Sequence, residues 1–269
     1  MKQRIKYKLG VLGFGRMGSA IATGAIIKDY LERYDICAYD PAEDKQKNIK
    51  SEGFALCSSP LEVAKQCRIL LLACPRDQLP SILPEIKDAE VPCILSIIKG
   101  ITSSYFHEYL PDVPVIRALV NTPLKIYEGS TAMSMSSDVH ADDYDFCFNL
   151  FRSLGKVNTV PENKLDTVQC MHATAPAYIC CYAEAMLRKP EEIGFDEDAA
   201  RALLVQSLIG TARLLQENRT ASLEDVLTLL CDNDPPSIEA FETMKKEGFD
   251  SKVREIARKT VDLIHKDEK

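Results

Sequence analysis

The chain has 269 residues, 46% of them hydrophobic and 27% charged, enough apolar material for one large domain or two modest ones. Its formal net charge is −7 with the signs mixed along the sequence, so no basic surface is set out for a nucleic acid. No apolar run approaches the ~18 residues of a membrane span, and the short stretch Leu9 to Leu12 after the basic N-terminus falls short of a signal core, which together predict a cytoplasmic protein.

Short apolar runs alternate with helix-like stretches through the first part of the chain. The runs are Leu9–Gly13, Asp35–Tyr39, Ile69–Ala73, Cys93–Ile98 and Val113–Val120, rich in Val, Ile and Leu with little strict alternation. Strands covered on both faces read this way. Between them, Arg16–Asp29, Pro41–Ser51, Pro60–Gln66 and Asp77–Lys87 read as crossover helices. Weaker strand signals follow at Ser130–Met135 and Lys156–Val160. The fold class is therefore α/β, with a doubly wound parallel sheet at the N-terminus.

After Pro161 the strand-like runs stop. Glu162–Arg188, Asp196–Asn218, Ser222–Leu230, Ser237–Glu247 and Asp250–Lys266 read as helices, which Asn218 and Gly248 are placed to end. Ala199–Leu215 is apolar on more than one face, as in a helix buried against a partner subunit. The domains are accordingly placed at 1–161 and 162–269, the second all-α.

Gly13-Phe14-Gly15-Arg16-Met17-Gly18 matches G-x-G-x-x-G between a strand and a helix, the context in which the motif binds a dinucleotide. Gly13 permits the tight turn, Gly15 the approach of a pyrophosphate, and Gly18 close packing of helix on strand. Asp40, at the end of the second strand, is placed to accept hydrogen bonds from an adenosine ribose. It equally reads as a helix N-cap, with Pro41 in the first helical position. An acid here disfavours a 2′-phosphate, which leans the cofactor to NAD(H) over NADP(H). The ten cysteines include no C-x-x-C pair and the four histidines are scattered. Reduced core thiols and no metal site follow.

Four segments together resemble the pyrroline-5-carboxylate reductase family. They are Leu9–Gly18, "LGVLGFGRMG"; Arg117 to Thr131, "RALVNTPLKIYEGST"; Thr174 to Ala185, "TAPAYICCYAEA"; and Ser237 to Phe249. The resemblance implies reduction of the C=N bond of a cyclic imino acid by a nicotinamide hydride. It also implies a Rossmann domain followed by a helical domain that dimerises, with higher homo-oligomers common. By the same resemblance, Asn121 and Thr122 border the nicotinamide, Thr174 the substrate carboxylate, and Ser237 the substrate nitrogen. Each has a local alternative: a turn at Asn121-Thr122-Pro123, and helix starts at Thr174 and Ser237.

The departures from the family lie in the substrate half. The family's S-G-S-G-P-A-Y stands here as His172-Ala-Thr-Ala-Pro-Ala-Tyr178, and its S-P-G-G-x-T as Asp232-Asn-Asp-Pro-Pro-Ser237. Alanine in place of glycine threatens any backbone with φ > 0. A family K-P has become Cys74-Pro75, and Lys99-Gly100 is unusual for the family. Two alternatives therefore stay open: a paralogue reducing another imino or keto acid, and a non-catalytic nucleotide-binding regulator.

Overall fold

The computed structural model describes residues 5–188, 194, 196–232 and 234–266. The described residues form two compact units, one within 5–176 together with 260–266 and the other within 177–259.

The first unit is built on an eight-stranded sheet. In chain order its elements are β1 (Tyr7–Leu12), α1 (Arg16–Ile27), β2 (Ile36–Tyr39), α2 (Glu43–Ser51), β3 (Ala55–Leu56), α3 (Pro60–Gln66) and β4 (Cys67–Leu72). There follow α4 (Leu79–Ile86), β5 (Cys93–Ser96), α5 (Ser103–Tyr109), β6 (Val115–Val120), β7 (Gly129–Met135), α6 (Ala141–Ser153), β8 (Gly155–Thr159) and α7 (Glu162–His172). The strand order is β3-β2-β1-β4-β5-β6-β7-β8, so the order reverses between β1 and β4.

Both faces of the sheet are covered, which explains strands without polar alternation. Leu9, Val11, Ile69 and Leu71 point to a layer with Ile21 and Ala22 of α1, Ile49 of α2 and Leu150 of α6. Leu12, Leu70 and Leu72 point the other way, to Val63 of α3, Leu83 of α4 and Phe106 of α5.

The sheet departs from the all-parallel expectation at one place, where β7 runs antiparallel to β6. Only residues 121–128 join them, and these are taken up by a 3-10 turn over Thr122–Ile126 that closes with Tyr127 at φ 64°. That is too short for a helical crossover, so the chain has to double back. Helices α5 and α6 and strand β3 fall where the sequence pattern marks no element. The long helix expected over 162–188 is two helices, α7 and α8 (Ala175–Met186), with a break at Ala173-Thr174. Pro176 enforces the break, because it lacks an N–H for the carbonyl of residue 172 and its ring would collide with that carbonyl.

The second unit takes in most of α8, then α9 (Glu197–Glu217), α10 (Leu223–Cys231), α11 (Pro235–Lys246) and the larger part of α12 (Phe249–Lys266). Asp196 caps α9 through the Ala199 N–H, and Ser222 with Asp225 forms a capping box on α10. Gly248, at φ 71°, lets the chain leave α11. Val226 is the one buried apolar side chain among the described residues of this unit, while Leu203, Val205, Ile209 and Leu215 of α9 are exposed in the single chain.

Candidate functional site

The loop between β1 and α1 is shaped by its glycines. Gly13 has φ 93°, and a Cβ there would lie 2.6 Å from the Cys74 nitrogen. A Cβ on Gly18 would lie 2.1 Å from the Gly13 carbonyl oxygen. At Gly15 a Cβ would meet nothing within 4 Å. The first two glycines are therefore demanded by the protein's own backbone, and the third faces open space. Helix α1 starts there with no side-chain cap and no acid in its first turn. Its free N–H groups and positive dipole end form an anion cradle beside the point where the strand order reverses.

The other motif residues divide by where their side chains go. Phe14 is buried and packs edge-on against Phe54 at 5.9 Å, and Met17 packs on the same core. Only their backbones belong to the loop surface. Arg16 is exposed and lines a cavity of about 530 Å³ with Gly15, Ser19 and Lys45. A smaller cavity of about 200 Å³, lined by Gly13, Tyr39, Pro41, Cys74 and Gln78, opens at the carboxyl ends of β1, β2 and β4.

Asp40 ties the second strand to this loop. One carboxylate oxygen accepts from the Phe14 N–H at 2.7 Å and the other from the Ala42 N–H at 3.0 Å. Helix α2 begins at Glu43 with Ala42 as its N-cap, so Asp40 is not the cap and Pro41 is not the first helical residue. The carboxylate instead closes a turn onto the N–H two residues ahead. Each oxygen keeps a lone pair for a further donor.

Asn121 follows β6 and is buried. Its Oδ1 accepts from the Ser130 N–H at 2.8 Å, and its Nδ2 donates to the His172 carbonyl at 3.2 Å. The side chain thus clamps the end of β6 to the start of β7 and the end of α7. Thr122, next in sequence, is exposed at the start of the 3-10 turn. Thr174 sits between α7 and α8, its N–H donating to the Gln169 carbonyl at 3.1 Å.

Helix α7 is fastened to the sheet by charge. Arg117 of β6, 3% exposed, pairs with Glu162 at 3.1 Å and lies 3.7 Å from Asp166. Glu162 also accepts from the Ser103 N–H at 2.7 Å and its hydroxyl at 2.6 Å. Burial works to raise Glu162, but these bonds and Arg117 hold its carboxyl below the usual range. The sequence marks Arg117 only as part of the Arg117 to Thr131 segment and Glu162 only as the start of a helical stretch. Their pairing joins residues 45 apart and leaves no local signal.

Ser237 belongs to the second unit, in the first turn of α11, where its hydroxyl donates to Asp234. Asn233 of that segment lies outside the described residues.

A family model described as pyrroline-5-carboxylate reductase dimerisation matches residues 162–266, and one described as NADP oxidoreductase coenzyme F420-dependent matches residues 8–100. The pyrroline-5-carboxylate reductase of Thermus thermophilus is 30% identical over 222 residues, 81% of this chain and 83% of that protein. This chain belongs to the pyrroline-5-carboxylate reductase family. The Escherichia coli enzyme of that name is 27% identical over 265 residues, 96% of this chain and 97% of its own. A Plasmodium falciparum pyrroline carboxylate reductase with NADP bound has the same fold, with a TM-score of 0.88 at 20% identity over 99% of this chain and 100% of that one.

Within the family, two of the departures cost the backbone nothing. Ala173 is in the right-handed helical region at φ −78°, and Asp29 and Tyr127 are the only described non-glycine residues with positive φ. The alanines therefore fit the turn without strain. Pro235 and Pro236 occupy the first turn of α11, where a missing N–H is harmless. Cys74 is buried, and burial pushes its thiol up to about 11, which makes it a protonated core residue. All ten cysteines are free. Among the described residues no cluster could hold a metal ion, and no helix is long and apolar enough to cross a membrane.

Proposed function

We propose that the protein reduces the C=N bond of pyrroline-5-carboxylate to give proline, with hydride from a nicotinamide dinucleotide. One observation carries this reading. The likeness to a reductase named for the activity runs over 96% of the chain, taking in the glycine loop's sheet and the helices after it.

The glycine loop fits such a cofactor, since Gly15 leaves open the space that a pyrophosphate needs. When bound, the nicotinamide supplies the hydride, and the chain supplies position. The N–H groups at Gly15, Arg16 and Met17 receive the pyrophosphate, with Gly13, Phe14 and Gly18 setting the loop. The remaining lone pairs of Asp40 accept the adenosine ribose hydroxyls. Asn121 and Thr122, at the carboxyl end of β6, border the nicotinamide. The Thr174 hydroxyl and the start of α8 receive the substrate carboxylate. The Ser237 hydroxyl turns from Asp234 to donate to the imine nitrogen.

Asp40 supports NAD(H) ahead of NADP(H), because a second anion beside its carboxylate is repelled. Residues 1–161 act as the dinucleotide domain and 162–269 as the substrate and dimerisation domain, a division supported by the family model that matches 162–266. The exposed apolar side chains of α9 support a homodimer. The free thiols support a cytoplasmic, reducing location.

The test is nicotinamide oxidation with pyrroline-5-carboxylate, run with NADH and NADPH in parallel. Turnover that falls at least tenfold in Ser237→Ala, with nucleotide affinity kept, supports the reaction and the hydroxyl's part in it. Asp40→Ser is expected to narrow the preference for NADH, and an unchanged ratio removes Asp40 from the ribose. Nucleotide binding without turnover points to another imino or keto acid, or to a non-catalytic regulator.

A further inference from the structure

His172 combines two features that the reaction scheme above leaves unused. The first is its carbonyl. Pro176 cannot supply the helical N–H that this carbonyl would otherwise accept, and Asn121 Nδ2 supplies one at 3.2 Å. The second is its ring. Both ring nitrogens are shielded from solvent and neither makes a hydrogen bond. The backbone of Ser130 lies against the ring, and the same residue's N–H donates to Asn121 Oδ1 at 2.8 Å. Both ends of the Asn121 amide are therefore held by His172 itself or by the strand residue its ring touches.

Buried polar groups left without partners are costly, about 1–3 kcal/mol each, and ask for an explanation. The charges around the ring supply one. The ammonium of Lys99, in the turn after β5, opposes a positive charge on it. Arg117 of β6 is already matched by Glu162 and Asp166 of α7, so these carboxylates are committed elsewhere. Burial above all, with Lys99 adding to it against a smaller pull from Ser130, pushes the imidazole below its ordinary value. At neutral pH the ring is uncharged.

We propose that His172 is a positioning residue for imino-acid reduction: its neutral ring seats the Asn121 clamp that sets the turn carrying Thr174, and protonation of the ring releases it. This rests on the reductase reading given above. A protonated ring has two N–H donors, of which the Ser130 backbone can serve only one, and a cation beside it, so it has to swing toward water. Ser130 and the 172 carbonyl then lose their seat, and Thr174 moves with them. The glycine loop belongs to other elements and keeps its shape. The acid-side loss therefore falls on the imino acid's KM, with the dinucleotide's Kd unchanged.

The experiment compares wild type with His172→Gln, which keeps a polar side chain and cannot take up a proton. kcat/KM for pyrroline-5-carboxylate is measured from about pH 8 to about pH 5, and the ratio of variant to wild type cancels the substrate's own titration. Wild type loses its neutral ring in acid and the variant has none to lose, so the ratio is expected to rise progressively as the pH falls below neutrality. A flat ratio overturns the proposal and leaves the reductase reading standing. Hydrogen exchange of segments 121–131 and 170–176, corrected for intrinsic rates, gives a readout free of turnover. If neither protein turns over at any pH, the reductase reading fails and exchange alone decides. Protection that falls with acid in wild type and not in the variant supports release of the clamp, and equal protection in both overturns it. Should His172→Gln not fold, His172→Ala serves for both readouts.

Discussion

Alanine at Gly15 and alanine at Gly18 add the same methyl group to one loop and are expected to do opposite things. At Gly15 the backbone has φ −74°, ordinary for any residue, and the added carbon would meet nothing within 4 Å. The free protein should keep its melting temperature within about two degrees, since unstrained surface changes stay within about 0.5 kcal/mol. The bound state is different. A pyrophosphate accepting from these N–H groups has to come within hydrogen-bond distance of the backbone, and a methyl group holds it off. Losing one charged hydrogen bond costs about 1.5–3 kcal/mol, or roughly ten- to 150-fold in affinity. At Gly18 the added carbon would lie 2.1 Å from the Gly13 carbonyl oxygen, which is backbone and cannot swing aside. Helix α1 has to move off the sheet, at a cost of about 1–3 kcal/mol or more for overpacking. For a chain of this size that is a drop of roughly 2–12 °C. The assays are thermal unfolding of the free protein and fluorescence titration with NADH. Gly15→Ala that binds NADH normally refutes the pyrophosphate placement. Gly15→Ala that melts with Gly18→Ala shows that the open space is not open, and the reasoning fails at its first step.

Three further outcomes follow from the buried charges and thiols. Arg117→Met leaves Glu162 and Asp166 without their cation, and removing one partner of a buried pair costs about 3–5 kcal/mol, read as a lower midpoint in urea. Glu162 has a folded value below its unfolded one, so its contribution is present above the unfolded value of 4.5 and is lost as pH falls through the folded value. The stability gap between wild type and Glu162→Gln should therefore be constant near neutrality and close in acid; a gap that widens in acid contradicts the assignment. For the thiols, six of the ten cysteines are buried, and burial pushes Cys67 and Cys93 up to about 12 and Cys74 to about 11. A disulfide reagent at about pH 8 should titrate no more than four thiols in the native protein and all ten after unfolding. A fifth fast thiol would show that the core opens.

What the sequence made legible was local. The glycine loop reads from spacing because Gly13 and Gly18 answer to backbone within a few residues or to the strand beside it, while Gly15 leaves the space before the helix open. The parallel strands read from apolar runs because both faces of the sheet are covered. The antiparallel turn to β7 was not legible, since nothing within Ser130–Met135 records which way the strand runs; its direction follows from the short connection before it. Asp40 shows the limit at a single residue. Asp-Pro has the composition of a helix start, yet the carboxylate is drawn to the Phe14 N–H, 26 residues away, and the helix starts later. Asn121 shows it for the site. As Asn-Thr-Pro it reads as a turn, and by resemblance as a neighbour of the nicotinamide, but its side chain reaches a carbonyl 51 residues on. That carbonyl is free because of Pro176, a residue legible only as a helix former's exception. A break imposed by one residue and filled by another joins the end of β6 to the turn between α7 and α8, two segments that stand as separate motifs in the sequence.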